Sequence, residues 1–316
     1  MNILDTVNNA EDLKKLNINQ LPEYCEEVRK LLVETISKTG GHLASNLGVT
    51  EITVALNYVF DVPEDKIIWD VGHQCYVHKI INGRKDSFNS LRTYGGISGF
   101  PKTAENEADC FDTGHSSTSV SAALGMIRAR ELLNKNYKVI SVIGDGALTG
   151  GMACEALADA GQKDQGMIVV LNDNQMSISK NVGGLSRQLS NLRSGNVYNR
   201  IKRATEKSLY NKKTLWKIAY GFKETVKRLF LKENIFEALG FRYLGPYDGH
   251  DIKTLIKIFQ RVKNTDENVV IHVITKKGKG YIPAEEKPKR FHGVSCFDVE
   301  TGEIFAGNSE YSSAFG

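Results

Sequence analysis

Val139-Ile140-Ser141-Val142-Ile143, the small-residue stretch Gly151 to Ala160, and Met167-Ile168-Val169-Val170-Leu171 decide the fold of this chain. Both outer runs are apolar on two faces, the pattern of strands buried on both sides of a parallel sheet. The stretch between them, rich in Gly and Ala, predicts a helix packed closely on that sheet. Strand, helix and strand in this order make a right-handed crossover unit.

Working outward, Leu21 to Ser37 repeats apolar residues with roughly helical spacing at Leu21, Val28, Leu31, Leu32 and Ile36, and Gly40-Gly41 break the pattern. Val49 to Tyr58 is short and apolar on one face. Lys66-Ile67-Ile68-Trp69-Asp70 reads as a buried strand that delivers the loop Val71-Gly72-His73. Ser116 to Asn134 opens on hydroxyl residues and continues as a helix. Downstream the alternation resumes with a helix around Lys232 to Leu239, a short strand near Phe241, a helix from Asp251 to Val262 and a strand over Val269 to Ile274. The fold class is therefore α/β: three layers, a mostly parallel sheet with helices on both faces. One domain over residues 1–316 is expected, interrupted by a basic, partly mobile insertion at 181–232.

The chain has 316 residues, 41% hydrophobic and 25% charged, enough to bury a substantial core. Its formal net charge of +4 is far below that of a dedicated nucleic-acid-binding domain. The basic residues concentrate between Arg187 and Arg228, where the acids are Glu206 and Glu224. That insertion is read as a solvated surface rather than a nucleic-acid site, with Leu215, Ile218, Phe222, Val226 and Leu229 able to form one amphipathic helix. Cys25, Cys75, Cys110, Cys154 and Cys296 are scattered, with no C-x-x-C pair, which argues against a disulfide framework or structural zinc. No signal peptide and no apolar run of membrane-spanning length is visible. A soluble, reduced, cytoplasmic protein is expected.

Gly144-Asp145-Gly146 follows the first central strand and Asn172-Asp173-Asn174 the second, so the crossover brings both to the carboxyl edge of neighbouring strands, where open α/β sheets bind ligands. An Asp carboxylate and an Asn carbonyl are hard oxygen donors suited to magnesium. Two such ligands leave the rest of the octahedron to phosphate oxygens and water. Gly144, Gly146 and the start of the following helix offer close backbone approach to a diphosphate. Either tripeptide alone is more often a structural turn. A dinucleotide fingerprint is the rival, but an acid at its second position would repel a pyrophosphate unless a cation intervened. The pair, at this spacing around a helix, resembles the thiamine-diphosphate motif.

The resemblance narrows through Gly41-His42-Leu43-Ala44-Ser45, Trp69-Asp70-Val71-Gly72-His73-Gln74, Gly114-His115-Ser116-Ser117-Thr118-Ser119 and Asn172-Asp173-Asn174-Gln175-Met176-Ser177-Ile178-Ser179. These segments look like the 1-deoxy-D-xylulose-5-phosphate synthase family. Transketolase carries a Gly-Pro-Leu-Gly-Gln type segment where this chain has Gly114-His115-Ser116-Ser117. The resemblance implies condensation of pyruvate with glyceraldehyde 3-phosphate with loss of carbon dioxide, thiamine diphosphate and Mg2+ as cofactors, and a place in isoprenoid and thiamine biosynthesis. It implies Asp145, Asn174 and the Met176 carbonyl as metal ligands. His73, Gly114, His115, Ser116, Gly146, Ala147, Asn174 and Tyr281 would contact the cofactor, and His42, His73 and His292 would act in proton transfer. His78 is expected to pack, and His250 and His272 to be structural.

Family members continue into a pyrimidine-binding domain, which supplies an activating Glu, and a third domain. This chain is therefore expected to bind cofactor weakly and to be inactive alone. A split gene with a partner chain, an excised first domain and a truncated product all remain open, and a homodimer is expected by resemblance. The alternatives are the N-terminal subunit of a split transketolase, a non-catalytic cofactor-binding or regulatory module, and a nucleic-acid binder acting through the insertion.

Overall fold

The structure, a computed structural model, describes residues 2–174 and 234–305. Five strands, β1 (Lys66–Trp69), β2 (Val139–Gly144), β3 (Met167–Asp173), β4 (Arg242–Asp248) and β5 (Val269–Ile274), form one parallel sheet in the order β1-β2-β3-β5-β4. The helices are α1 (Ile3–Thr6), α2 (Ala10–Lys15), α3 (Leu21–Thr39), α4 (Leu43–Gly48), α5 (Thr50–Val59), α6 (Tyr76–Lys79), α7 (Ser119–Leu132), α8 (Gly151–Ala160), α9 (Ile235–Ala238), α10 (Ile252–Lys263) and α11 (Ile282–Glu286).

Alternation along each strand separates two cores. Ile140 and Val142 of β2, with Ile168 and Val170 of β3, pack into a cluster built by α2, α3, α4, α5 and α10. Val139 and Ile143, with Val169 and Leu171, face a second cluster with α7, α8 and α9. Because side chains of a strand point alternately to opposite faces, strands apolar at every position need both layers. The expected three-layer α/β architecture is present. The amphipathic α10 follows the same logic: Asp251 caps its N-terminus by accepting from the Thr254 amide at 3.1 Å, and Ile252, Leu255, Ile256, Phe259 and Val262 form its buried stripe.

One local reading changes. The strand ending expected at Leu171 continues through Asn172 and Asp173, which pair with Val273 and Ile274 of β5. The polar side chains are satisfied within the sheet: Asn172 Oδ1 accepts from Thr275 Oγ1 at 2.6 Å, and Asp173 lies 3.0 Å from His272 Nε2. Ladder pairing and these partners override the poor strand propensity of Asn and Asp. Beyond the break at Gly40-Gly41, which ends α3 as expected, the chain forms the short helix α4, followed directly by α5. The basic insertion at 181–232 and Met176 lie outside the described residues. Among the described residues no helix is long and apolar enough to cross a membrane.

Candidate active site

The carboxyl ends of β1, β2, β3 and β5 deliver Asp70, Asp145, Asn172, Asn174, Thr275 and Lys277 to one cleft of about 540 Å³. This size lies within the usual range for small-molecule sites, roughly 300–1,000 Å³. Further lining comes from Ser45, Gly48 and Val49 at the α4–α5 junction and from Pro288, Lys289, His292 and Gly293 after α11.

His73 and His292 line this cleft, and His42 packs against both. Ring centroids are 5.3 Å apart for His42 and His73, 5.7 Å for His42 and His292, and 5.1 Å for His73 and His292. The three come from segments far apart in sequence. Asn46 in α4 joins two of them: its amide donates to the His42 carbonyl at 2.6 Å and the His73 carbonyl at 2.8 Å, while its oxygen accepts from the Tyr76 amide. Ser45 Oγ sits 3.2 Å from His292 Nδ1. Burial, with His292 and Arg92 adding repulsion, pushes His42 down to about 4. Burial, then the neighbouring His42, His292 and Lys277, pushes His73 down to about 3, and burial with Lys277 lowers His292. All three imidazoles are neutral at pH 7. His73 Nδ1 is buried with no hydrogen-bond partner among the described residues.

The turn after β1 is strained where it enters the site. Val71 has φ of +61°, a left-handed conformation costly for a β-branched residue, and Gly72 follows at +88°. A Cβ on Gly72 would lie 2.3 Å from Thr113 Oγ1 and 2.4 Å from Pro101 Cδ, so only glycine fits. Asp70, 1% exposed, accepts from the Ser117 amide at 2.8 Å, the Ser119 amide at 3.0 Å and Ser119 Oγ at 2.8 Å. It thereby folds the 114–119 loop so that Ser116 reaches the cleft. Ser117 Oγ in turn accepts from the Ala153 amide at 3.0 Å, taking up one of the free N–H groups at the start of α8.

Asp145 is 3% exposed at the end of β2, and Asn174 follows β3. One carboxylate and one amide are a donor set that fits magnesium only with phosphate and water oxygens completing it. Gly144 offers an open cradle, since a Cβ there would meet nothing within 4 Å. Lys277 brings a cation to the same cleft. Burial lowers its pKa, against the opposing charge of Asp145. The donor set, the cradle and the cation together fit a metal-bridged diphosphate.

Of the residues singled out from sequence, His73, Ser116, Asp145, Gly146, Ala147, Asn174 and His292 line the cleft, and His42 adjoins it. Gly114 and His115 are not among its lining residues. His115 is exposed, with its Nδ1 2.8 Å from the Ser116 carbonyl. Tyr281 also lies outside the lining, its ring against Phe291 and Phe297 and its hydroxyl donating to the Val299 carbonyl. Asp70, Ser45, Asn46 and Lys277 were not singled out. Asp70 and Ser45 stood inside quoted motifs. Asn46 gives no signal in one sequence, because its role is to hold two distant carbonyls. The cleft-lining carboxylates are Asp70 and Asp145, and Asp70 is committed to the 117–119 backbone.

The sheet order, the helices on both faces and the cleft at the strand ends define the transketolase-type fold. Transketolase from Campylobacter jejuni superposes with a TM-score of 0.64 at 21% identity, covering 88% of this chain and 41% of that one. Transketolase from Leishmania mexicana does so at 0.60 and 18% identity, covering 84% of this chain and 38% of that one. Within that fold, residues 4–275 match the sequence profile described as 1-deoxy-D-xylulose-5-phosphate synthase. The chain is 53% identical over 320 residues to the synthase of that name from Clostridium beijerinckii, covering 100% of this chain and 52% of the relative. It is 53% identical over 310 residues to that from Alkaliphilus oremlandii, covering 97% and 50%. The chain belongs to the 1-deoxy-D-xylulose-5-phosphate synthase family. It spans about half the length of these relatives.

Proposed function

We propose that this chain is the diphosphate-binding part of a thiamine-diphosphate- and Mg2+-dependent synthase that condenses pyruvate with glyceraldehyde 3-phosphate, releasing carbon dioxide and forming 1-deoxy-D-xylulose 5-phosphate. The observation that supports this reading is that Asp145 and Asn174 line the same cleft as His73 and His292. A metal-and-diphosphate end and a proton-transfer end are what such a reaction requires. When bound, thiamine diphosphate supplies the carbanion that attacks and decarboxylates a 2-oxo acid.

The chain's own residues would bind, orient and protonate. Asp145 and Asn174 would hold the metal, joined by Met176 outside the described residues, and Lys277 would offset diphosphate charge. Gly146, Ala147 and Ser116 would contact the diphosphate side. The neutral His42, His73 and His292 would accept hydrogen bonds and protons from substrate hydroxyls without presenting charge beforehand. His73 is the best placed, because its buried Nδ1 has unmet bonding capacity among the described residues. Gly114, His115 and Tyr281 would contact the cofactor only if its bound form reaches beyond the cleft lining.

The relatives are about twice as long, so the activating carboxylate and a second wall of the site are proposed to come from sequence outside this chain, with one domain over 1–316, a homodimeric assembly and a cytoplasmic location. Titrating thiamine diphosphate with and without Mg2+ into the wild type and Asp145→Ala, with the rest of the synthase supplied, tests the reading. The expected result is Mg2+-dependent binding lost in the variant. Equal affinity in both proteins would remove the proposal.

A further inference from the structure

Outside the cleft lining, Arg29, Glu51 and His250 form a connected group of titratable side chains. Glu51 sits in the first turn of α5 and is 6% exposed. One of its oxygens accepts from Arg29 Nη2, whose other terminal nitrogen donates to Glu26 at 2.7 Å. Its other oxygen lies 3.0 Å from His250 Nδ1. His250 Nε2 lies 2.9 Å from the backbone amide of Lys276. That amide can only donate, so Nε2 accepts and the ring proton resides on Nδ1, directed at Glu51. Burial works against the Glu51 charge, yet the His250 hydrogen bond and the Arg29 guanidinium hold its pKa below the usual carboxylate range.

The far end of this chain of bonds is the turn that presents Lys277. Its backbone has two further anchors: the Gly278 amide donates to the Ala44 carbonyl at 2.9 Å, and the Gly280 amide donates to Glu285 at 2.9 Å. A Cβ on Gly48 would lie 3.1 Å from the Lys276 carbonyl, so α4 and the turn are in close backbone contact. The bond to His250 is the anchor immediately before Lys277. The His250–Glu51 bond ties the β4–α10 loop to α5, which begins just after the cleft-wall residues Gly48 and Val49.

We infer that Arg29, Glu51 and His250 form a positioning relay that fixes the backbone at Lys276 and so aims the Lys277 ammonium into the cleft, toward the anionic group bound there. None of the three lines the cleft, so they act through Lys277. The inference rests on the reading above for what Lys277 meets, but its geometry can be tested on Lys277 itself.

The test compares His250→Gln with His250→Asn in the full chain. Gln places its side-chain oxygen near the position of Nε2 and keeps an acceptor for the Lys276 amide, whereas Asn stops near Nδ1. Three quantities are read: amide exchange at Lys276 to Gly278, the rate of Lys277 acetylation by limiting acetic anhydride, and affinity for inorganic diphosphate. In His250→Asn the first two are expected to rise, and affinity to fall, by about tenfold or more, the scale found for residues that orient a ligand-bearing group. His250→Gln is expected to restore all three. Wild-type behaviour in His250→Asn, or equal changes in both variants, overturns the relay. The imidazole 15N shifts of the unaltered protein give an independent check, since a proton on Nε2 of His250 also overturns it. If the wild type binds no diphosphate, the functional reading fails while exchange and acetylation still decide the relay.

Discussion

The Asn46 amide donates to the main-chain carbonyl of His73 at 2.8 Å, fixing the loop after β1 against a helix that begins one residue after His42. The same amide holds the His42 carbonyl, and both histidine positions therefore depend on one fully buried side chain.

Replacing Asn46 by Ala removes both donors and the acceptor for the Tyr76 amide. Each buried group left unsatisfied costs about 1–3 kcal/mol. Asn46→Ala is expected to lose at least about 2 kcal/mol in urea denaturation, and to loosen His42 and His73 together, seen as exchange broadening of both imidazole signals. Asn46→Asp keeps the acceptor but sets a carboxylate against two carbonyls, and is expected to be no better. Sharp, unshifted imidazole signals in either variant would count against this account.

His78 gives a pH dependence separate from the cleft. Wholly buried, it donates from Nε2 to the Ala108 carbonyl and receives the Asn57 and Asn82 amides at Nδ1. Burial pushes it down to about 4 from its ordinary 6.5, with the charge of Asp109 opposing. The unfolded chain takes up this proton as pH falls through 6.5, the folded chain only near 4. The unfolded state thus holds more protons in that window, and the contribution, whole above pH 6.5, is lost on the way down to 4. Its size is roughly 3 kcal/mol. In denaturant titrations, His78→Gln is expected to be less stable at pH 7 and to lose less between pH 6.5 and 4 than the wild type; parallel curves would refute it.

Sequence patterning carried the fold because it depends on local periodicity. The runs Val139 to Ile143 and Met167 to Leu171 are apolar at nearly every position, which only a doubly covered strand explains. It failed at Asn172 and Asp173, where strand continuation depends on β5, a hundred residues away, and on the Thr275 and His272 side chains. The candidate site divides similarly. Asp145 and Asn174 were legible because a crossover unit places them without further information. Lys277 was not, since its desolvation and proximity to Asp145 arise only when β5 lies beside β3. Tyr281 was reached by resemblance alone, and the structure places its ring among Phe291 and Phe297.

Asp70 is the corresponding anchor for the loop that carries Ser116. Hydrogen bonds to a charged acceptor contribute about 1.5–3 kcal/mol each. Asp70→Asn removes the charge and turns one acceptor oxygen into a donor facing Ser117 or Ser119 amides. A loss of about 2 kcal/mol or more in stability is expected, with proteolysis opening first within residues 114–119. Cleavage elsewhere, with that loop still protected, would show that Asp70 does not organise it.

The depressed histidines also predict a proton signature for anion binding. With no anion present, burial and mutual repulsion keep His42 near 4 and His73 near 3, and burial with Lys277 keeps His292 low. An anion in the cleft favours each protonated imidazole and the Lys277 ammonium, raising every one of these pKa values. The bound state then holds more protons than the free state, so binding must take protons up. Because His42 and His73 of the free protein titrate near 4 and 3, uptake should grow as the pH falls from 7 toward 5. Sulfate is the suitable probe, as it does not itself titrate in this range. Titration of the unbuffered protein with sulfate in a pH-stat should show net uptake at pH 5.5, reduced in His73→Gln and smaller at pH 7. Release of protons, or uptake unchanged in His73→Gln, would mean that the bound anion does not face the histidine cluster, and the two ends of the cleft would then have to be treated as separate sites.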